Sequence, residues 1–184
     1  LEAVVVTHQA GLRDETEAAL DNLLFTASVP IIFVEGGATR QQSVFRGLEA
    51  LEQQIPHIEY VLIHDGARPW VSEETIISTL AMATVFGGAA PILPIHDAVK
   101  QVDEEGRITE HRDRSSLVTI QTPQVFRFPD ILEAHRKAQL TDRIYLDDTE
   151  IYTEFGGVVG TTIGNSENRK ITIVEDLPSV QEES

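Results

Sequence analysis

The sequence contains no cysteine and only three lysines, Lys100, Lys137 and Lys170, in 184 residues. Without cysteine the chain can form no disulfide, no zinc–thiolate site and no thiol nucleophile. Basic residues are scarce as a class, because 14 Lys and Arg stand against 30 Asp and Glu and give a formal net charge of −16 at pH 7. A chain this acidic is not expected to bind nucleic acid, which requires a basic face. Any phosphate site must therefore gather its few cations locally.

Long apolar runs are also missing. No run approaches the roughly 20 residues that a membrane helix needs, and no charged segment followed by an apolar one opens the chain. We therefore expect no membrane contact and a cytoplasmic location. The sequence also contains no G-x-S-x-G, no H-E-x-x-H and no Walker lysine loop, so the chemistries tied to those motifs have no support.

Short β-rich runs alternate with amphipathic segments along the first half of the chain. Strands are predicted over 3–7, 30–34, 60–63 and 89–95, and apolar residues repeat at helical spacing between them at 19–24, 44–51 and 76–82. This order predicts a parallel α/β sheet with right-handed crossovers. Further strands are predicted over 117–121, 158–163 and 171–174, with helices over 131–140 and 149–155 and a short one from 175. No repeat or linker interrupts the pattern, which indicates a single domain over 1–184.

A β-hairpin is predicted where the alternation breaks. Residues 98–102 and 107–111 flank the turn Asp103-Glu-Glu-Gly106, and neither strand has a strong apolar face. The hairpin and its flanks, 95–116, are therefore expected to project as an arm. Because an isolated hairpin is marginally stable, we expect the arm to pack against a second subunit.

Polar clusters follow the predicted strands, where open α/β sheets bind ligands. In the turn from Gly36-Gly37 to Ser43, free N–H groups and the Ser43 hydroxyl could hold an anion or a base edge; an ordinary strand-to-helix turn is the alternative. After the third strand, Asp65 is placed for a hard cation or a ribose, and Arg68 could bind a phosphate through two hydrogen bonds. A local Asp–Arg pair is the alternative there, and His64 is interpreted as a core histidine.

Lys170 precedes a predicted late strand and follows a polar loop, which favours a functional role over the alternative of a solvated charge. Arg112 and Arg114 form a small basic patch where the hairpin returns. Residues 122–124, Thr-Pro-Gln, are interpreted as a rigid polar turn. Three acids at 147, 148 and 150 could bind a metal, but acids at a helix N-terminus explain them as well, and we prefer that interpretation.

Several of these segments occur together in the order found in one family. They are Gly36-Gly37-x-x-Arg40-x-x-Ser43, His64-Asp65-Gly66-Ala67-Arg68-Pro69, Asp97-Ala98-Val99-Lys100, Asp113-Arg114, Gln121-Thr122-Pro123-Gln124 and Lys170-Ile171-Thr172. From Ala3 to Leu177 the sequence resembles the 2-C-methyl-D-erythritol 4-phosphate cytidylyltransferases of the non-mevalonate isoprenoid pathway. The resemblance implies a Rossmann-like, mostly parallel sheet with helices on both faces, and a homodimer joined through the β-arm. It also implies transfer of CMP from CTP to a polyol phosphate, with Mg²⁺ as cofactor and release of pyrophosphate.

The same resemblance implies a role for each site residue. The nucleotide would contact Gly36, Gly37, Ser43 and Asp65, and Asp65 would also bind the metal. The acceptor substrate would be bound by Arg68, Asp97, Arg114 and Thr122, with Arg68, Arg114 and Thr122 holding its phosphate. Lys170 and Arg114 would be the catalytic residues, with Lys170 neutralising the reacting phosphates. Since Arg114 lies on the arm, it would act in the neighbouring subunit's site.

The sequence departs from the family's pattern at three places. The glycine-rich loop with an Arg and a Lys that opens the family is not present, so we expect an N-terminal strand, loop and helix to be missing. Ala98 and Leu146 stand where the family often has threonine. Two alternatives therefore stay open: a ribitol-5-phosphate cytidylyltransferase with the same fold, and a non-catalytic α/β binding domain.

Overall fold

The computed structural model describes residues 1–20 and 29–177. The strands are β1 Val4–His8, β2 Ile31–Glu35, β3 Tyr60–Ile63, β4 Gly87–Pro94, β5 Val99–Val102, β6 Ile108–Arg112, β7 Val118–Ile120, β8 Gln124–Arg127 and β9 Val158–Ile163. The α-helices are α1 Arg13–Ala19, α2 Arg40–Gln54, α3 Glu73–Phe86, α4 Phe128–Ala138 and α5 Asp148–Glu154, and 3₁₀ turns form at Arg114–Ser116 and Val174–Asp176. Within the described ranges, no helix has the length and apolar character needed to cross a bilayer. The predicted apolar pair Leu23 and Leu24 lies outside the described residues.

Two compact units make up the described chain, and the first falls within Leu1–Val61 and Phe126–Val158. In it β1 and β2 pair in parallel, with Val4 opposite Ile31 and His8 opposite Glu35. The rings of Phe126 and Tyr152 pack 5.0 Å apart in its core. Other buried apolar side chains there are Leu48, Phe128, Ile131, Leu132 and Ile151. This alternation of buried and exposed positions on α2 and α4 is what the helical spacing predicted.

The second unit falls within Leu62–Val125 and Val159–Ser184. β4 and β7 lie wholly within it and belong to a sheet with the strand order β3-β8-β4-β7, in which β9 also pairs with β4. β4 and β7 are antiparallel, with Ile92 opposite Ile120 and Pro94 opposite Val118. The expectation of a mostly parallel sheet is therefore wrong for this part of the fold. The reason is the arm: the chain leaves β4, runs out and back through β5 and β6, and returns beside β4 in the opposite direction.

The ends of α3 follow from its own sequence. Ser72 Oγ accepts a hydrogen bond from the Thr75 N–H at 3.2 Å, which satisfies one of the free amides of the first turn. The helix ends at Gly87, whose φ of 86° lies in the left-handed region that favours glycine. Local signals of this kind act over a few residues, so they can be interpreted without knowing the fold.

The predicted hairpin is confirmed. β5 and β6 pair antiparallel, with Lys100 opposite His111 and Gln101 opposite Glu110, and every residue of β6 is exposed. The Asp103 carboxylate accepts from the N–H groups of Glu105 and Arg107 and so closes the turn. Its packing on a second subunit stays a prediction, as does the single domain.

Two expectations about the later chain are wrong. Residues 171–174 form no strand, because the Asp176 carboxylate accepts hydrogen bonds from Thr172 N, Thr172 Oγ1 and Ile173 N, which curls the segment into a 3₁₀ turn. These bonds, led by that of the Thr172 amide, hold the pKa of Asp176 below its usual value. Gln124, predicted as the last residue of a polar turn over 122–124, is almost fully buried and begins β8, a strand that was not predicted.

Candidate active site

Asp65, directly after β3, lies between two cations in the second unit. Its Oδ2 is 3.1 Å from Lys170 Nζ and 3.6 Å from Arg68 Nε. The side chains of Asp65 and Arg68 are 13% and 12% exposed, and that of Lys170 is 41% exposed. Two positive groups against one carboxylate leave a net positive charge in a chain of net charge −16. This is the local concentration of cations that a phosphate site in such a chain requires.

A chain of hydrogen bonds fixes the loop that carries Asp65 and Arg68. The Asp65 N–H donates to Thr122 Oγ1 at 3.0 Å. Because that oxygen accepts from an amide, its own proton is available for His64 Nδ1, 3.0 Å away. His64 Nε2 then carries the ring proton and donates to the Arg68 carbonyl oxygen at 2.9 Å. His64 is thus an exposed residue that shapes the loop, and its interpretation as a core histidine is wrong.

Asn168 and Gln121 complete the support of the site, and neither was predicted from the sequence to be a site residue. Arg68 Nη1 donates to the Asn168 carbonyl oxygen at 2.7 Å, and Asn168 Nδ2 donates to the Thr122 carbonyl oxygen at 2.8 Å. Gln121 Nε2 donates to the carbonyl oxygens of Asn165 and Asn168. Asn168 is fully buried and Gln121 is 5% exposed. The network therefore sets the course of the loop that ends at Lys170.

A signal for this network was present in the sequence. Gln121 is a polar residue at the end of an apolar strand, and Gly164 packs against its side chain in the fold. A Cβ at Gly164 would come within 2.6 Å of Gln121 Oε1, so a larger residue there would displace the Gln121 side chain. Two buried polar atoms of the cluster, Arg68 Nε and Asn168 Oδ1, have no hydrogen-bond partner. Such atoms are rare in folded proteins and call for a ligand or water.

We expect Asn168→Ala to lower the free energy of unfolding by about 1–3 kcal/mol, because the buried carbonyl oxygen of Thr122 loses its donor. Urea denaturation followed by tryptophan fluorescence measures this. Trp70 is the sole tryptophan, and Arg169 lies over its ring at 5.1 Å, so the probe is close to the loop. Glu167→Ala, on the same loop with an exposed side chain, is the control; equal stability of the two variants would contradict the role given to Asn168.

The glycine turn before α2 lies in the first unit, and its polar groups are hydrogen-bonded to one another and to β1. The Gly37 N–H donates to Ser43 Oγ at 3.1 Å, and the Ser43 hydroxyl donates to the Thr39 carbonyl oxygen at 3.0 Å. The Gly36 N–H donates to the His8 carbonyl oxygen. A Cβ at Gly37 would lie 2.3 Å from Gln42 Cβ, which explains the glycine. The Gly36 and Gly37 amides, predicted to be free, are therefore already hydrogen-bonded, and the nucleotide-binding role of Gly36, Gly37 and Ser43 stays a prediction.

The two predicted site residues on the arm and its flank are exposed. Asp97 precedes β5, and Arg114 begins the 3₁₀ turn that follows β6. Asp113 accepts from the Ser115 N–H and hydroxyl, which lowers the pKa of its carboxyl. Arg114 forms no ion pair with any residue that the structure describes. Its side chain is therefore available for a ligand or a second subunit, and both binding roles stay predictions.

The acids at the start of α5 are helix N-terminal acids, as preferred. Asp147 is the N-cap and accepts from the Glu150 N–H at 2.9 Å. Within 1–20 and 29–177, no group of three His, Asp or Glu side chains is placed to hold a metal ion. Mg²⁺ often uses one or two carboxylates together with substrate phosphates and water. Asp65 fits that kind of site, as the single protein carboxylate beside a phosphate ligand.

An α/β fold with Arg68 and Lys170 gathered on Asp65 is typical of proteins that handle phosphate groups. The chain belongs to the 2-C-methyl-D-erythritol 4-phosphate cytidylyltransferase (IspD) family, whose sequence model matches residues 1–182. This confirms the resemblance stated from the motifs.

Individual relatives carry the same names. The chain is 46% identical over 145 residues to a bifunctional enzyme IspD/IspF of Rhodopseudomonas palustris, covering 78% of the chain and 36% of that protein. It is 40% identical over 148 residues to a 2-C-methyl-D-erythritol 4-phosphate cytidylyltransferase of Bacillus thuringiensis, covering 80% and 63%. The chain thus spans less than two thirds of the length of these curated relatives.

Solved structures agree on the fold. The 4-diphosphocytidyl-2C-methyl-D-erythritol synthase of Anaerococcus prevotii aligns with a TM-score of 0.84 at 28% identity, over 96% of this chain and 75% of that one. The 2-C-methyl-D-erythritol 4-phosphate cytidylyltransferase of Thermus thermophilus aligns with a TM-score of 0.74 at 28% identity, over 96% and 94%. The α/β fold class predicted from the sequence is therefore confirmed.

Proposed function

We propose that the protein transfers CMP from CTP to 2-C-methyl-D-erythritol 4-phosphate, releasing pyrophosphate, in isoprenoid precursor synthesis. Family membership and the names of the relatives support the reaction. The observation that carries it is the placement of Lys170 and Arg68 on Asp65. Charged substrates of this kind favour the cytoplasm as the location.

The reaction needs positive charge more than it needs a nucleophile from the protein. A phosphate oxygen of the acceptor forms a bond to the α-phosphorus of CTP, and the bond to pyrophosphate breaks, with its electron pair leaving on pyrophosphate. Negative charge accumulates around the phosphorus, so catalysis rests on positioning and electrostatic stabilisation. Asp65 holds the Lys170 ammonium at 3.1 Å, which restricts its motion before the substrates arrive.

The other predicted site residues can be given binding roles that agree with their positions in the structure. Arg68, with Nη1 fixed on the Asn168 carbonyl oxygen and Nε near Asp65 but without a hydrogen bond, is suited to bind the acceptor phosphate. Thr122, Asp97 and Arg114 would complete the acceptor site, and the turn of Gly36, Gly37 and Ser43 would receive the cytosine and ribose. Mg²⁺, held by Asp65 together with the triphosphate, would supply further neutralisation of phosphate charge.

A homodimer is part of the proposal. The arm exposes two apolar side chains, Val102 at 55% and Ile108 at 59%, and Arg114 follows its second strand. Apolar side chains exposed on a thin hairpin are stabilised when another surface covers them. A second copy of the chain would supply that surface and receive Arg114.

The test is pyrophosphate release from CTP by the full-length protein, with 2-C-methyl-D-erythritol 4-phosphate or ribitol 5-phosphate as acceptor. We expect release with the methylerythritol substrate in Mg²⁺, and its loss after chelation with EDTA. Release only with ribitol 5-phosphate would replace the acceptor, and no release with either would favour a non-catalytic binding domain.

A further inference from the structure

Three charged or polar side chains meet inside the first unit, away from Lys170 in the sequence. Arg40 Nη1 donates to Asp148 Oδ2 at 2.8 Å, and His135 Nε2 lies 3.0 Å from Asp148 Oδ1. Asp148 and His135 are fully buried, while the Arg40 side chain is 34% exposed. A buried carboxylate is costly unless it is paired and hydrogen-bonded. Here both carboxylate oxygens have partners.

The orientation of His135 is fixed by its surroundings. Since a carboxylate oxygen only accepts, His135 Nε2 must carry the proton that it shares with Asp148. The Phe45 ring lies nearly parallel to the imidazole, with centroids 6.3 Å apart. His135 Nδ1 is buried and has no hydrogen-bond partner. The imidazole therefore hydrogen-bonds to Asp148 and, among the described residues, to no other polar group.

Arg40 stands at an unfavourable place for helix stability alone. It is the first residue of α2, where the helix dipole favours acids and disfavours cations. Its ion pair with Asp148, the first residue of α5, offsets this cost and joins the N-termini of the two helices. The position of Arg40 thus depends on a partner 108 residues away.

Arg40 is also the next residue after the glycine turn. Thr39, its neighbour, accepts from the Gln42 N–H through Oγ1 and from the Ser43 hydroxyl through its carbonyl oxygen. Ser43 Oγ in turn accepts from the Gly37 N–H. A shift of Arg40 would therefore move Thr39, Ser43 and the turn together.

We propose that Asp148 and His135 are positioning residues that act through Arg40 to hold the glycine turn 36–39 in the conformation that receives the nucleotide. The inference rests on the proposed function, because the turn is taken as the cytidine site. The three residues bind no substrate themselves. Their loss should weaken nucleotide binding and leave acceptor binding and the rate of the chemical step largely unchanged.

The test compares Asp148→Asn and Arg40→Gln with the wild-type protein. Asp148→Asn keeps the shape and the acceptor for His135 but removes the charge that holds Arg40. We expect KM for CTP, and the dissociation constant of CTP measured by calorimetry, to rise about 10- to 100-fold. We expect kcat and KM for the acceptor to stay within about twofold, the pattern of a lost binding contribution.

A matched control exists on neighbouring elements. Arg136 on α4 and Glu52 on α2 form an exposed ion pair at 2.6 Å, and Glu52→Gln removes it without touching the buried set. We expect this control to leave CTP binding unchanged. The double variant Arg40→Gln with Asp148→Asn should bind CTP no more weakly than the weaker single variant, because both changes remove one interaction.

Three outcomes are decisive. Additive losses in the double variant would show that Arg40 and Asp148 act separately and would overturn the inference. If the folded variants bind CTP normally and only their unfolding temperature is lowered, the three residues are purely structural. The inference is then wrong, while the proposed function stands. If the wild-type protein binds no CTP, the proposed function falls and the inference with it.

Discussion

Replacing Lys170 by alanine should lower kcat by about 10²–10³-fold, the usual loss when one charge-stabilising donor is removed from a transition state. The free energy of unfolding should change by less than about 1 kcal/mol, as for other ion pairs that solvent reaches. The reason is geometric: Lys170 Nζ lies 3.1 Å from Asp65, but its side chain is 41% exposed. Steady-state kinetics with saturating CTP, together with urea denaturation, separates the two effects.

Lys137→Ala is the matched control for this experiment. Lys137 is 49% exposed and pairs with Glu133 at 3.5 Å on α4, so it offers a similar charge in a similar setting without Asp65. It should retain wild-type turnover. A Lys170 variant that unfolds readily while its folded fraction keeps the wild-type rate would show that Lys170 is structural.

The sequence allowed part of this site to be predicted because its pieces are local. Asp65 and Arg68 are three residues apart at the end of a strand, and open α/β sheets place ligands there. The pairing of Lys170 with Asp65 could not be predicted in the same way, since 105 residues separate them in the sequence. It depends on the course of the loop before Lys170, and that course is set by the buried Asn168 and Gln121.

The errors have a common physical origin. Residues 171–174 have the β-branched character of a strand, but one side chain, Asp176, accepts from the amides of Thr172 and Ile173 and competes with sheet pairing. Asp148 carries a sequence signal for a helix N-terminus, and it lies there, yet nothing local indicates that it is fully buried on His135. Direction of pairing, burial and long-range ion pairs are decided by tertiary structure, which local patterns do not contain.

Mixing two inactive variants, Arg114→Ala and Lys170→Ala, should restore activity once subunits exchange. If Arg114 serves the neighbouring subunit and Lys170 its own, both lesions of a mixed dimer fall in one site and the other site is intact. Random exchange makes about half of the dimers mixed, so activity should recover to about a quarter of the wild-type value. The exposure of Arg114 on its own chain, without an ion pair among the described residues, motivates the prediction.

Arg112 supplies the control for the arm, because it lies two residues before Arg114 and is occupied within the hairpin. Arg112 Nη2 is 2.8 Å from Glu110 Oε2 and donates to Gln101 Oε1. Arg112→Ala should therefore stay active alone, whereas Arg114→Ala should not. Subunit exchange must be shown independently, by native mass spectrometry of a mass-tagged variant. Exchange without recovery would mean that Arg114 acts in its own subunit or in neither, and the assignment of the arm to a neighbour's site would be wrong.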